Sequence, residues 1–227
     1  MKFTSKISLF PLVVALAVAA PAVTSAQLLF SNLNQTSAGP NNLNAGNNRL
    51  ATEFHTGIDA STLTGLSLRV FNGDNVAHDF NAFLFSDVSN LPGTLLATFT
   101  DVSTIVPSNT TDFLTTFTLP GGFSLASNTQ YWIATGYNES SNNATVGPLS
   151  TVSNSGDAGS VFTVTQPPGL AVSFNNGNTF GNIATPQNFL FSLQGTVVPE
   201  PTSAALVVLG SAFLLRRRSL RTSERDA

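Results

Sequence analysis

The chain has 227 residues, 42% of them hydrophobic and only 9% charged, with two histidines and no cysteine. No disulfide framework, thiol nucleophile or thiolate metal site is available to it, so any folded domain must be held by its apolar core. Lys2 and Lys6 lie near the start and five arginines follow Leu215, leaving Arg49 and Arg69 against nine carboxylates between Gln27 and Val198, a net charge of about −7 that excludes a nucleic-acid partner.

The first predicted element is a signal peptide over residues 1–26. Lys2 and Lys6 make a basic start, Ile7 to Ala20 is an almost unbroken apolar run, and Thr24-Ser25-Ala26 offers the small residues a signal peptidase inspects, with cleavage at Ala26. A permanent anchor would need a longer run without Pro11 and Pro21. The asparagine-rich stretch from Phe30 then reads as a long surface loop that enters a first strand near Leu50 to His55.

From there apolar residues recur at every second position. "TGLSLRVFNGD" sends Leu66, Leu68 and Val70 to one face and Ser67 and Arg69 to the other, then stops at the turn Asn72-Gly73-Asp74. In "DFNAFLFSD", Phe83 and Phe85 oppose Phe80, Ala82 and Leu84, so both faces are apolar and the strand is predicted to be central. "SNLPGTLL" predicts a loop closing on Pro92-Gly93. "TLPGGFSLASNTQYW" predicts successive turns at Gly121-Gly122 and Ser127-Asn128 before a strand carrying the single tryptophan, Trp132. "TLLATFT", "DFLTTFTL", "QYWIATGY", "SVFTVTQ", "LAVSF" and "NFLFSLQGTVV" continue the pattern, and no sustained helical period interrupts it. Residues 27–198 are therefore expected to form one all-β domain, an antiparallel, jelly-roll-like β-sandwich.

Candidate chemistry within this body is sparse. His55 and His78 have no partner that spacing identifies, and neither a G-x-S-x-G elbow nor an H-E-x-x-H pair is present. "NGDNVAHDFN" offers oxygen ligands, with Asp74 and Asp79 as calcium candidates, but Asp and Asn are also what a tight turn uses. Tyr131, Trp132 and Tyr137 could stack on a sugar, yet on one strand Trp132 faces away from the two tyrosines, so at least one side is core. The nine acids, from which a glycosidic pair would have to come, sit mostly beside Asn, Ser or Gly in turns. The expectation is that there is no catalytic residue, no metal and no cofactor.

The last element is residues 199–221. Pro199-Glu200-Pro201 precedes an apolar run over 202–215, too short to cross a bilayer comfortably and read as a short transmembrane helix, and Arg216, Arg217 and Arg218 follow it. Arginines at that end stay cytoplasmic, which leaves the body outside, in agreement with the signal peptide. Residues 222–227 read as a disordered tail. This order of turn, apolar run and arginine cluster resembles the PEP-CTERM sorting signal of Gram-negative bacteria. The resemblance implies recognition of Pro199-Glu200-Pro201 by a membrane-embedded exosortase-type enzyme, transient residence in the inner membrane, processing, and delivery to the cell surface or a polysaccharide matrix.

"RLATEFHTG", "LTGLSLRV", "AFLFSDVSNLPGTLLATF" and "SLASNTQYWIA" are similar to the choice-of-anchor domains of bacterial surface proteins, type R in particular. That resemblance implies a fold and carries no catalytic residues. The function expected is thus a non-enzymatic structural or adhesive component of an exopolysaccharide or biofilm matrix. The alternatives are a carbohydrate-binding, lectin-like module assisted by calcium and, less favoured, a polysaccharide-modifying hydrolase.

Overall fold

The computed structural model describes residues 26–43, 47–101, 105–137, 146–164, 169–183 and 186–198. The predicted signal peptide up to Ser25, the segment Pro199-Glu200-Pro201, the apolar run 202–215, Arg216, Arg217 and Arg218, and the predicted tail 222–227 all lie outside the described residues. Among the described residues there is no helix, and hence none long and apolar enough to cross a membrane.

In chain order the strands are β1 (Gln27–Ser31), β2 (Gly39–Pro40), β3 (Arg49–His55), β4 (Ser61–Asn72), β5 (Phe80–Asp87), β6 (Pro92–Thr98) and β7 (Thr100–Asp101). They continue as β8 (Thr110–Leu125), β9 (Gln130–Tyr137), β10 (Val146–Thr151), β11 (Leu170–Ser173), β12 (Gly181–Ile183), β13 (Asn188–Phe189) and β14 (Phe191–Val197). All pairings are antiparallel and fall into two sheets, as a sandwich requires.

One sheet is organised around β4. Leu68 pairs with Phe191 of β14 on one side and Thr115 of β8 on the other, and beyond it Val70 pairs with Pro148 of β10. The predicted alternation along β4 holds: Leu66, Leu68 and Val70 are buried in the central core, while Arg69 points outward. The second sheet runs β12-β11-β3-β9-β5-β6. Its inward face contributes Leu50, Phe54, Phe80, Leu84, Ile133 and Tyr137 to the same core.

The double-sided strand β5 also has its physical reason. Phe80, Ala82 and Leu84 face the central core, whereas Phe85 faces outward into a second buried cluster with Ala51, Trp132, Ala134 and Ala171, against which Phe83, Leu91 and Phe180 pack. Phe180, from the segment between β11 and β12, meets the Phe85 ring edge-on at 5.3 Å. A chain segment thus roofs this part of the sheet, and the strand is apolar on both faces because both are covered.

Several sequence expectations are corrected. The stretch from Phe30 is not a plain surface loop. Leu29 and Phe30 belong to β1 and are buried, and Asn32 clamps the interruption between β13 and β14 by donating its Nδ2 to Phe189 O (2.7 Å) and accepting from Phe191 N (2.7 Å). The β5–β6 hairpin turns at Ser89-Asn90, with φ of 56° and 62°, so Pro92-Gly93 begin β6 instead of closing the loop.

Gly121 and Gly122, with φ of 80° and 69°, form a bulge within β8. The register passes from Gly65↔Thr118 to Leu63↔Phe123, which sets residues 119–122 opposite Thr64 alone. "SVFTVTQ" is not a strand either. Val161 N and Phe162 N donate to Leu29 O of one sheet, and Thr163 then bridges His55 of the other, so the segment stitches the sheets together.

Candidate functional site

The strand directions place Gln27 and Val198, the first strand residue and the last described residue, at one end of the sandwich. Gln27 pairs with Gly195 across the antiparallel β1–β14 pair, and Val198 N donates to Ala60 O at 2.8 Å. The chain therefore enters and leaves the body side by side, at what is the terminal end of the sandwich. Ser61↔Leu125 and His55↔Gln130 lie at the same end, while Asn72, His78 and Tyr137 lie at the opposite one.

At the terminal end an open groove of about 560 Å³ runs between the close of β8, the start of β9 and the β5–β6 hairpin. Ser86, Asp87, Ser124, Asn128, Thr129 and Gln130 supply its polar lining, and Leu96, Phe123 and Tyr131 its apolar part. Most of these groups also serve the fold. Gln130 Nε2 donates to Glu53 Oε2 (2.6 Å), Trp132 Nε1 to Asp87 Oδ1 (2.8 Å), and Ala126 N to the Tyr131 hydroxyl (3.0 Å). The amide oxygen of Gln130 and the carboxylate of Asp87 keep acceptor capacity, which suits hydroxyl donors better than anions.

The sequence candidates fall elsewhere. Trp132, Tyr131 and Tyr137 are all buried, the tyrosines in the central core and Trp132 in the outer cluster, so no exposed aromatic platform exists on β9. His78 is buried against Tyr137 and its Nε2 lies 3.0 Å from Asp74 Oδ2. His55 pairs with Gln130, seven residues along β9 from Tyr137, so the histidines are separated by roughly 23 Å of strand.

Asn72 explains the loop that carries Asp74. Its Nδ2 donates to the carbonyls of Val76 (2.9 Å) and Pro107 (3.0 Å), and its Oδ1 accepts from Asp74 N (3.0 Å). This is turn-closing chemistry. Among the described residues no group of three or more His, Cys, Asp or Glu could hold a metal.

Not all carboxylates lie in turns. Glu53 stands in the middle of β3 with 1% exposure, sealed beneath the surface and hydrogen-bonded to Gln130. It and Asp87 sit on strands that flank β9 on either side, two residues apart in register, which separates their backbones by about 12 Å. A hydrolytic pair open to substrate is not presented there.

The two arginines of the body are both engaged. Arg49 lies beneath the surface with its guanidinium over the Phe83 ring at 5.2 Å, in space that Gly136 leaves by having no side chain, and burial lowers its pKa. Arg69 makes a two-pronged contact with Asp112, with Nε to Oδ1 at 2.9 Å and Nη2 to Oδ2. That hydrogen bonding holds the Asp112 carboxyl below its usual range and raises Arg69.

A depressed carboxylate stabilises the fold above its unfolded pKa, about 3.9, and the contribution is lost as pH falls through the folded value. The side chains are 24% and 46% exposed, so solvent screening keeps the pair below about 1 kcal/mol. Asp112→Asn is expected to lower stability by less than that at neutral pH, with the difference shrinking as pH falls below about 3.9, as urea unfolding across that range would report.

No protein-family model matches the chain, and no curated protein matches it. Among the solved structures similar to the chain are two of the same protein. One contains the cysteine protease and lectin-like domains of Cwp84, a surface layer associated protein of Clostridium difficile (16% identity, TM-score 0.42, covering 67% of this chain and 33% of that one). The other is a clostridial cysteine protease, Cwp84, after propeptide cleavage (15% identity, TM-score 0.47, covering 76% of this chain and 40% of that one). The chain thus spans two fifths or less of the length of these proteins. The expectation that the chain itself is not an enzyme is corrected to this extent: both of these structures are of a cysteine protease, so they do not bear that expectation out. A cysteine-protease mechanism is not indicated for the chain itself, which contains no cysteine.

Proposed function

We propose that the chain is exported across the inner membrane, held there by residues 202–215, processed at Pro199-Glu200-Pro201 by an exosortase-type enzyme, and delivered as a structural or adhesive domain to the cell surface or an exopolysaccharide matrix. The observation that carries this reading is the pairing of Gln27 with Gly195. A body with its predicted signal peptide and sorting segment attached at one end can fold outside while both remain in the membrane. It can then be released at both without disturbing its core. Deleting Thr202 onward is expected to give free secretion of a folded body, measured by fractionation; retention in the membrane would argue that the apolar run is not the holding element.

The groove between β8, β9 and the β5–β6 hairpin favours one second reading, a lectin-like role. Phe123 and Leu96 offer an apolar patch for the C–H face of a sugar ring, and Asp87 and Gln130 offer acceptors for its hydroxyls. Binding of the mature body on a glycan array, lost in Phe123→Ala, would support that role. Absence of binding across neutral and acidic glycans would leave the scaffold reading alone.

A further inference from the structure

We infer that the terminal end of the sandwich is a lipid-contacting surface, which rests on the proposed membrane insertion of residues 202–215. Only three residues, Pro199 to Pro201, separate Val198 from that apolar run, and three residues span at most about 10 Å. Once the run is inserted, the body cannot stand off from the bilayer. The part that must face the headgroups is the end where Val198 emerges.

That end carries the side chains such a contact needs. Ile58 is 78% exposed, Val161 45% and Val198 50%. Ile58 and Val161 border a shallow depression of about 470 Å³ together with Gln27, Asp59 and Val197. The turn bearing Ile58 is fixed in place. Asn128 N donates to Gly57 O at 2.8 Å, and Gly57 packs so tightly on the carbonyl of Val161 that an added Cβ would lie 2.9 Å from its oxygen. Apolar side chains on pinned loops around the chain's exit suit the boundary between headgroups and acyl chains.

Charge does not supply the attraction. The body carries about −7, and Asp59 lies within the depression, so anionic lipid would repel it. The contact is therefore made through the covalent tether and weakens once the tether is cut, as release requires.

The absence of cysteine makes the test direct, because any introduced cysteine is the only labelling site. Ile58→Cys, Val161→Cys, Val76→Cys and Leu206→Cys are each labelled with an environment-sensitive fluorophore. The chain, retaining its tail, is reconstituted in vesicles of phosphatidylethanolamine and phosphatidylglycerol with doxyl-labelled acyl chains. The labels at Ile58 and Val161 are expected to be quenched at shallow depth and the label at Leu206 deeply, with Val76, at the opposite end, unaffected. Quenching at Leu206 without quenching at Ile58 or Val161 overturns the inference alone. No quenching at Leu206 overturns the membrane reading beneath it as well. A label at Ile58 shielded from aqueous iodide yet unquenched by lipid also overturns it, and points to a second copy or another protein on this end.

Discussion

Trp132→Ala is expected to destabilise the body by about 3–5 kcal/mol, the cost of emptying a large buried aromatic site. Trp132 is fully buried on the outer side of its sheet, where Ala51, Ala134, Ala171 and Phe85 surround it and Phe180 and Leu91 close over it. Ala51, Ala134 and Ala171 are too small to collapse into the space, so most of the cavity would remain. The substitution also takes the indole donor from Asp87, leaving that carboxylate to be solvated at the groove. With no disulfide to limit the unfolded state, such a loss is a large share of the 5–15 kcal/mol that typically separates folded from unfolded domains. Thermal unfolding should shift downward by roughly 6–20 °C. A loss below about 1 kcal/mol would show that the outer cluster is not part of the cooperative core.

Replacing Pro199, Glu200 and Pro201 by alanine is expected to act in the opposite manner, with a large effect on fate and none on the fold. The last strand ends at Val197, whose partner is Ser61, and Val198 closes the ladder through Ala60. Stability of the body should stay within about 0.5 kcal/mol of the parent. Residues 202–215 would still stop in the inner membrane, and Arg216, Arg217 and Arg218 would still oppose their passage, so uncleaved chain should accumulate there. Unchanged release would remove the main support for exosortase-type sorting.

The parts of the fold legible in the sequence are those in which one strand faces one core. Leu66, Leu68 and Val70 declare β4 by alternation, and Arg69 between them marks the solvent side. The double-sided apolar pattern of β5 is readable too, although not its cause, because Phe180 comes from a segment almost a hundred residues later. Long-range polar clamps are not legible. Asn32 looks like any loop asparagine, and only the approach of Phe189 and Phe191 reveals that it replaces ladder hydrogen bonds. The two glycines at 121 and 122 signal a reversal of direction, but their positive φ values are used for a bulge because β8 continues along β4 beyond them.

The groove was hidden for a related reason. Its lining is gathered from the β5–β6 hairpin and from residues 123–131, and no spacing motif links the two. Tyr131 and Trp132, the residues that composition would select for sugar stacking, are consumed by the two cores. Phe123 joins the buried Tyr131 at the groove because the preceding bulge sets the register at which it pairs with Leu63.

The most direct test of the central claim is the intact mass of the protein recovered from outside the cell. The account predicts a chain that begins near Gln27 and ends at or before Pro201, carrying the complete sandwich through Val197 and no part of the arginine cluster. A surface form whose mass still includes Arg216 to Ala227 would contradict it.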